Sequence, residues 1–284
     1  MGAIRLQGVI DMHIHSAPDV RQRKLDDLEI AEAAVERGIR AVVIKSHMVP
    51  TVDRATLVNK MVRERYGDAT DFEMFGGVVL NRSVGGINPW VAEAALELGA
   101  KVVWLPTNTS ENHNAKTGKT GGVAVTDGNR VVGAMKDVFS LVNDYDAVLA
   151  TGHISADECF VVAEAARNAG VRKLVITHPE FWIVGMTPEQ MAKIVSEYGV
   201  LLESVFAQPI GGGEYKRNLP DNVVNMKAIG PEHFIVSTDG GQMQNPPWYE
   251  TIGLYVDYLY EAGFSKEEIV RMTHTNAAEI LGIE

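Results

Sequence analysis

The sequence predicts an α/β protein, a (β/α)8 TIM barrel, regular or distorted, with extra helices at its C-terminal end. Eight short segments rich in Val, Ile and Leu alternate with longer amphipathic segments. Continuous apolar runs of this kind are typical of strands buried on both faces of a parallel sheet. A chain of 284 residues is long enough for one such barrel. We therefore expect a single domain over residues 1–284, with an open doubly wound sheet as the alternative.

The eight predicted strands are bounded by polar or glycine-containing segments. No G-x-G-x-x-G motif follows the first strand, which weakens a dinucleotide-binding doubly wound fold. Two long polar segments, 108–130 and 207–220, are predicted loops, and long loops in compact domains often carry function. The predicted strands cover residues 8–15, 40–47, 72–80, 100–107, 146–153, 172–178, 199–206 and 233–239.

Capping signals mark the helices between these strands. Ser155 precedes Glu158 by three residues, which is the spacing of a capping box. Asn88 followed by Pro89 is a typical N-cap and first-turn pair. Glycine ends several of the amphipathic segments, as it ends many helices. The chain after residue 247 is predicted to be mostly helical.

Composition excludes several classes of protein. The net charge of −11 argues against a nucleic-acid-binding surface, which needs clustered Lys and Arg. A single cysteine, Cys159, allows no intrachain disulfide and no cysteine-rich zinc site, and it reads as a buried small hydrophobe. Neither a signal core nor a membrane-spanning apolar run is recognisable, so we expect a cytoplasmic protein with no membrane partner.

Polar residues collect where the predicted strands end. In the segment DMHIH, His13 and His15 are two residues apart and point to the same side of a strand, with Cα atoms about 6.5 Å apart. Catalytic groups of barrels sit at the carboxyl ends of the strands. Imidazole and carboxylate are ligands suited to Zn²⁺, Mn²⁺ or Fe²⁺, so the pattern predicts a divalent metal site. The residues at these ends are His13, His15, Lys45, His47, His153, His178 and Asp239.

The segments DMHIH, GHIS, THP, STDGG and TNAAEILG follow one another along nearly the whole chain. In this set and order the sequence resembles the amidohydrolase superfamily of metal-dependent barrel enzymes, as an uncharacterised branch. The resemblance implies that His13, His15, His153 and Asp239 are metal ligands. It implies that His178 either binds a second metal or polarises the substrate. The expected cofactor is one or two divalent ions, with Zn²⁺ favoured over Mn²⁺ or Fe²⁺.

One departure from the superfamily pattern concerns the fourth strand. Two-metal members usually place a carboxylated Lys or a Glu at its end, but here the segment KVVWLPTN has neither an acid nor a lysine at its end. Either one metal is bound or the bridge comes from elsewhere. Lys45 is a candidate if it is carboxylated, or else it anchors the substrate. Glu203 is a weaker candidate.

The resemblance implies hydrolysis of an amide, lactone or related ester of a small anionic molecule. Asp239 would move the proton of a metal-activated water, and His178 would stabilise negative charge on the substrate. Arg21, Arg23 and His47 are candidate substrate-binding residues. The alternatives are a decarboxylase or hydratase with one metal, and a metal-binding protein without turnover. Segment 248–260 packs either on its own barrel or against another subunit. A homo-oligomer is therefore one of the two expected states.

Overall fold

The computed structural model describes residues 6–283, in which short strands and helices alternate. Each of the eight predicted strand segments contains strand structure. The strands are β1 (Ile10–Ile14), β2 (Ala41–Ile44), β3 (Glu73–Phe75), β4 (Gly77–Val79), β5 (Val102–Trp104), β6 (Thr126–Asp127), β7 (Arg130–Val131), β8 (Val148–Ala150), β9 (Leu174–Ile176), β10 (Leu201–Ser204), β11 (Ala207–Gly211), β12 (Glu214–Arg217) and β13 (Phe234–Val236).

Helices follow most of the strands and dominate the C-terminal part, as expected. A π-helical turn, Arg271–Thr275, joins the last two helices. The helices are α1 (Asp27–Arg37), α2 (Val52–Tyr66), α3 (Pro89–Glu97), α4 (Glu111–Lys116), α5 (Met135–Asp144), α6 (Ala156–Asn168), α7 (Pro188–Tyr198), α8 (Leu219–Ile229), α9 (Trp248–Glu261), α10 (Lys266–Val270) and α11 (Asn276–Leu281).

The predicted caps form. Ser155 accepts a hydrogen bond from the amide of Glu158, whose side chain accepts one from the amide of Ser155 in return. Asn88 caps α3 ahead of Pro89. These caps satisfy backbone amides that the first helical turn leaves without partners.

The chain divides into two compact units. Unit 1 comprises Met1–Ser46, Thr51–Gly76 and Ser204–Glu284. Its parallel sheet has the order β1–β2–β3, with Ile10 opposite Ala41 and Ala41 opposite Glu73. The apolar strand residues form its core, because the residues of β2 are fully buried.

Unit 2 comprises His47–Pro50 and Gly77–Glu203. Its strands are parallel and follow the order β4–β5–β8–β9–β10, the last of these up to Glu203. Every residue of β5 and β8 is buried. Burial on both faces explains why these strands read as continuous apolar runs. That the chain works as one domain stays a prediction.

Three segments differ from the sequence prediction. The predicted strand 72–80 is interrupted at Gly76, where a Cβ atom would lie 2.5 Å from the backbone of Val52. The predicted loop 108–130 contains α4 and most of the hairpin β6–β7, and the predicted loop 207–220 contains the hairpin β11–β12. The strands of these hairpins are short, and most of their residues are exposed or half-buried, so they lack the continuous apolar pattern that marks a buried strand. Within residues 6–283 no helix combines the length and apolarity needed to cross a membrane.

Candidate metal centre

The carboxyl end of β1 places two imidazoles in the interior of unit 1. His13 lies in β1 and His15 follows its last residue. Both side chains are buried, and their ring centroids lie 5.3 Å apart. Because side chains alternate along a strand, two residues separated by one project from the same face, as the sequence predicted.

A tight turn after β13 brings Asp239 to these imidazoles. Its φ of 47° is uncommon for a residue other than glycine, and such strained backbone clusters at functional sites. The amide of His15 donates a hydrogen bond to the carbonyl of Gly240 at 2.9 Å, which ties the turn to β1. Gly241 has a φ of 102°, and a Cβ atom there would lie 1.7 Å from the carbonyl oxygen of His15. The glycines of STDGG therefore permit this close approach.

The three side chains form a compact donor set. The Nε2 atoms of His13 and His15 lie 3.2 and 3.1 Å from the same oxygen, Oδ1 of Asp239. One possible ligand atom from each residue lies within 4.8 Å of the others. Asp239 keeps 18% of its side chain exposed, so the set is reachable from solvent. Two imidazoles and a carboxylate suit a divalent transition metal.

The electrostatics of the set fit metal binding. Burial lowers the pKa of His15 to about 3, although its contact with Asp239 acts in the opposite direction. The imidazole is therefore neutral at neutral pH, as a metal ligand must be. Burial by itself would raise the pKa of Asp239, but the two imidazoles outweigh it and hold that pKa well below its usual range. Asp239 is consequently a carboxylate.

Asp11 is a buried acid that the sequence analysis did not single out. Its Oδ2 atom accepts hydrogen bonds from Thr238 Oγ1 at 2.7 Å and from Trp248 Nε1 at 2.9 Å. Its Oδ1 atom accepts from the amides of His13 and Thr238. Burial raises its pKa to about 6, in spite of these bonds. Asp11 thus ties β1 to the segment preceding Asp239. The sequence signal that could have identified Asp11 was the presence of a charged residue inside the apolar run GVIDMHIH.

Lys45 lies beside the donor set. It follows β2, its side chain is buried, and its Nζ atom lies 2.9 Å from Nε2 of His13. This position is adjacent to the candidate metal ligands. Carboxylation of Lys45 stays a prediction.

The two arginines after β1 differ in their surroundings. Arg21 is exposed, whereas the guanidinium of Arg23 is buried and paired with Asp19 at 2.7 Å. Tyr215 on β12 is half-buried. Burial raises its pKa, Asp239 adds to the rise, and Arg23 and Arg21 oppose it. Tyr215, which the sequence analysis missed, is therefore within electrostatic range of Asp239 and both arginines. Substrate binding by Arg21 and Arg23 stays a prediction.

Unit 2 gathers a second set of imidazoles around His153. The ring centroid of His153 lies 5.0 Å from that of His178 and 6.0 Å from that of His47. The Nδ1 atom of His47 lies 2.8 Å from Thr107 Oγ1. His178 has a φ of 30°, which again places left-handed backbone at a candidate site residue.

His113 joins this set, and the sequence analysis missed it. It lies on α4, inside the segment 108–130 that was predicted as a loop. Its Nδ1 atom is 2.8 Å from Nδ1 of His153, and the two rings are stacked with centroids 5.0 Å apart. The polarity of the segment was a signal for function, but nothing in the sequence linked His113 to His153.

β5 corresponds to the fourth predicted strand, and its end carries no bridging side chain. The strand is followed by Leu105, Pro106 and Thr107, and Thr107 accepts a hydrogen bond from Asn81. The absence of an acid or lysine there, noted from the sequence, holds for the described residues of this segment. Glu203 is buried in β10. Its role as a bridge stays a prediction.

Solved structures of low sequence identity share the fold. An amidohydrolase from Pseudomonas aeruginosa matches with a TM-score of 0.69 and 13% identity, covering 98% of this chain and 97% of that one. Organophosphorus hydrolase from Deinococcus radiodurans matches with a TM-score of 0.62 and 15% identity, covering 99% and 94%. A dihydroxybenzoic acid decarboxylase from Polaromonas sp., with bound manganese and the inhibitor 2-nitroresorcinol, matches with a TM-score of 0.55 and 13% identity, covering 97% of each chain. These matches confirm the expected α/β barrel fold class, and they confirm that the fold resembles that of amidohydrolases.

At the level of sequence, no curated protein matches the chain. The profile of DUF6282, a family of unknown function, matches residues 8–203. This range is more than half of the chain and includes every candidate site residue except Asp239 and Tyr215. The chain therefore belongs to the DUF6282 family.

Proposed function

We propose that this protein is a metal-dependent hydrolase that acts on an amide, lactone or related ester of a small anionic molecule. The observation that carries the proposal is the donor set of His13, His15 and Asp239, whose ligand atoms converge within 4.8 Å. The set is assembled from strand ends more than 220 residues apart in sequence and includes strained backbone at Asp239. Such a conjunction favours a functional site over a structural one.

His13, His15 and Asp239 would hold the ion. A divalent ion bound by these residues supplies a Lewis acid that polarises a carbonyl oxygen and acidifies water. Asp239, kept as a carboxylate, accepts the proton of the attacking water and passes it to the leaving group. Zn²⁺ is the favoured ion, and Mn²⁺ and Fe²⁺ suit the same ligands.

The remaining candidate residues have roles that the superfamily resemblance suggests. We propose His153 as a further metal ligand and His178 as a ligand or as a donor of a hydrogen bond to the substrate oxygen that gains negative charge. Lys45 is proposed as a carboxylated ligand or as an anchor for substrate. Arg21, Arg23 and His47 are proposed to bind the anionic group of the substrate. We further propose that the chain acts in the cytoplasm.

A decarboxylase or hydratase with one metal is the second candidate. The end of β5, which lacks an acid or lysine, favours a single ion. Release of CO₂ from aromatic or unsaturated carboxylic acids, with no hydrolysis of esters, lactones or amides, would favour this reaction. Stoichiometric metal without turnover of either kind would favour a metal-binding protein instead.

Metal content and hydrolysis together test the proposal. Protein purified without chelator is analysed by mass spectrometry for Zn, Mn and Fe, and then assayed on a panel of esters, lactones and amides. We expect at least one ion per chain, loss of metal in His13→Asn, and retention in His233→Asn, which changes a partly exposed histidine away from the set. Asp239→Asn should abolish turnover, whereas the exposed control Asp53→Asn should not. Protein without any transition metal, or full turnover in Asp239→Asn, would contradict the proposal.

A further inference from the structure

We propose that Arg54 is a positioning residue, which holds loop 18–25, and with it Arg21 and Arg23, beside the turn that carries Asp239. The contribution of this loop to the reaction rests on the proposed function, because it matters only if the two arginines bind the anionic group of the substrate. Arg54 lies in the first turn of α2, and the sequence analysis did not single it out. The proposal follows from the contacts that Arg54 makes on both sides of the loop.

The guanidinium of Arg54 contacts residues before, in and after the loop. Its Nε atom donates a hydrogen bond to Asp27 Oδ2 at 2.8 Å, and its Nη2 atom donates to Asp27 Oδ1 at 3.0 Å. The same Nη2 atom donates to Ser16 Oγ at 2.9 Å, and Nη1 donates to the carbonyl of Pro18 at 2.6 Å. Ser16 precedes the loop, Pro18 begins it and Asp27 follows it. One side chain therefore fixes both ends of the loop.

Backbone hydrogen bonds place the loop against the turn. The amide of Ala17 donates to the carbonyl of Leu25 at 2.9 Å, which brings the two ends of the loop together. The amide of Lys24 donates to the carbonyl of Gly241 at 3.0 Å. Gly241 belongs to the turn that carries Asp239. The loop is therefore closed at its ends and attached to the candidate metal centre near its last residues.

Apolar packing does little to fix the conformation of the loop. Pro18 is exposed, Val20 is 74% exposed and Leu25 is only half-buried. No residue from 18 to 25 lies in a helix or a strand. Segments with few buried apolar contacts open at low cost in free energy. The conformation of this loop therefore depends on its polar contacts, and Arg54 makes four hydrogen bonds at its ends.

The effect of Arg54 reaches Arg23 through Asp19. The carbonyl of Pro18, which accepts from Arg54, belongs to the peptide that precedes Asp19. Asp19 Oδ2 accepts from Nε of Arg23 at 2.7 Å, and the Nη2 atom of Arg23 lies 2.7 Å from the same oxygen. Both side chains of this ion pair are buried. Because Arg23 precedes the residue that bonds to the turn, the pair holds its guanidinium on the side of the loop nearest the metal centre.

Arg54→Lys separates these contacts from the positive charge. Burial raises the pKa of Asp27, and Arg54 acts in the opposite direction, so removing the cation altogether would leave a buried carboxylate without compensation. Lysine keeps the cation. Its single ammonium lacks the planar fork of donors that lets Arg54 bind both oxygens of Asp27 and the carbonyl of Pro18 at once. Arg63→Lys is the matched control, because Arg63 is an exposed arginine on the same helix.

Trypsin measures the loop directly, because it cleaves after Arg and Lys. Cleavage of the full-length protein after exposed Arg21 is followed by mass spectrometry, with cleavage after exposed Lys119 as the internal reference. We expect Arg54→Lys to speed cleavage after Arg21 by about tenfold or more relative to Lys119, as the loss of a hydrogen bond to a charged group implies. Arg63→Lys should behave as the wild type. Unchanged cleavage in folded Arg54→Lys, or equal acceleration at both sites, would overturn the inference.

A pair of esters tests the consequence for substrate binding. Mono-p-nitrophenyl glutarate carries a carboxylate, whereas p-nitrophenyl butyrate carries none. In Zn²⁺-loaded Arg54→Lys we expect kcat/KM for the anionic ester to fall about tenfold relative to the neutral ester, mainly through KM, with unchanged metal content. Equal losses for the two esters would mean a merely structural role and would overturn the inference. Absence of any turnover in the wild type would contradict the proposed function, whereas the trypsin result by itself decides whether Arg54 holds the loop.

Discussion

Thr238 connects the two segments that carry the candidate metal ligands of unit 1. Its Oγ1 donates to Asp11 Oδ2 at 2.7 Å and accepts from the amide of Gly240 at 3.0 Å. Thr238→Val keeps the branched shape but removes both bonds. A hydrogen bond to a charged acceptor contributes about 1.5–3 kcal/mol, and a buried amide left without its acceptor costs about 1–3 kcal/mol. We therefore expect Thr238→Val to lower the free energy of unfolding by about 3–5 kcal/mol.

Thr238→Ser is the matched control, since it keeps the hydroxyl and removes one methyl group, for a loss of about 1 kcal/mol. Urea unfolding of both metal-free variants gives the two free energies. We also expect the valine variant to bind metal more weakly, because the turn that carries Asp239 loses its bond at Gly240. Equal stabilities of the two variants would refute the assigned hydrogen bonds.

Three further predictions concern Gly241, His15 and Cys159. Gly241→Ala should lower the free energy of unfolding by about 1–3 kcal/mol more than Gly212→Ala in thermal or urea unfolding. Both glycines have positive φ, but only at position 241 would the added Cβ atom meet backbone. Equal losses would contradict the close approach of Gly241 to His15. In metal-free protein, the lowered pKa of His15 should make the free energy of unfolding fall as the pH drops below about 6.5, since the unfolded chain binds a proton that the folded chain excludes. Protonation of Asp11 has the opposite effect on stability, and it does so in the wild type and in His15→Asn alike. Urea titrations at pH 7 and pH 5 should therefore show that the free energy of unfolding falls less in His15→Asn than in the wild type. Burial raises the pKa of Cys159 to about 12, so iodoacetamide should label this thiol only after unfolding. Rapid labelling of the folded protein, detected by mass spectrometry, would show instead that the thiol is accessible.

Local patterns determined most of the elements. The apolar runs located the strands because each is buried, and the pairs Ser155–Glu158 and Asn88–Pro89 located helix starts because capping depends on neighbouring residues alone. The strand-end pattern also led to the set of His13, His15 and Asp239, since parallel strands present their carboxyl ends on one side. The spacing DMHIH and the glycines of STDGG are the local features on which that set depends.

Contacts between distant segments decided the rest. Asp11 looks like one charged residue in an apolar run until Thr238 and Trp248, more than 200 residues away, supply its hydrogen bonds. His113 looks like a loop residue until α4 brings its ring against His153, forty residues later in the chain. The sequence by itself determined the buried strands, the capped helices and the strand ends that carry the candidate ligands, because these follow from short-range patterns. Only the tertiary structure decided which polar side chains support them, because a hydrogen bond between distant segments depends on packing that no local pattern encodes.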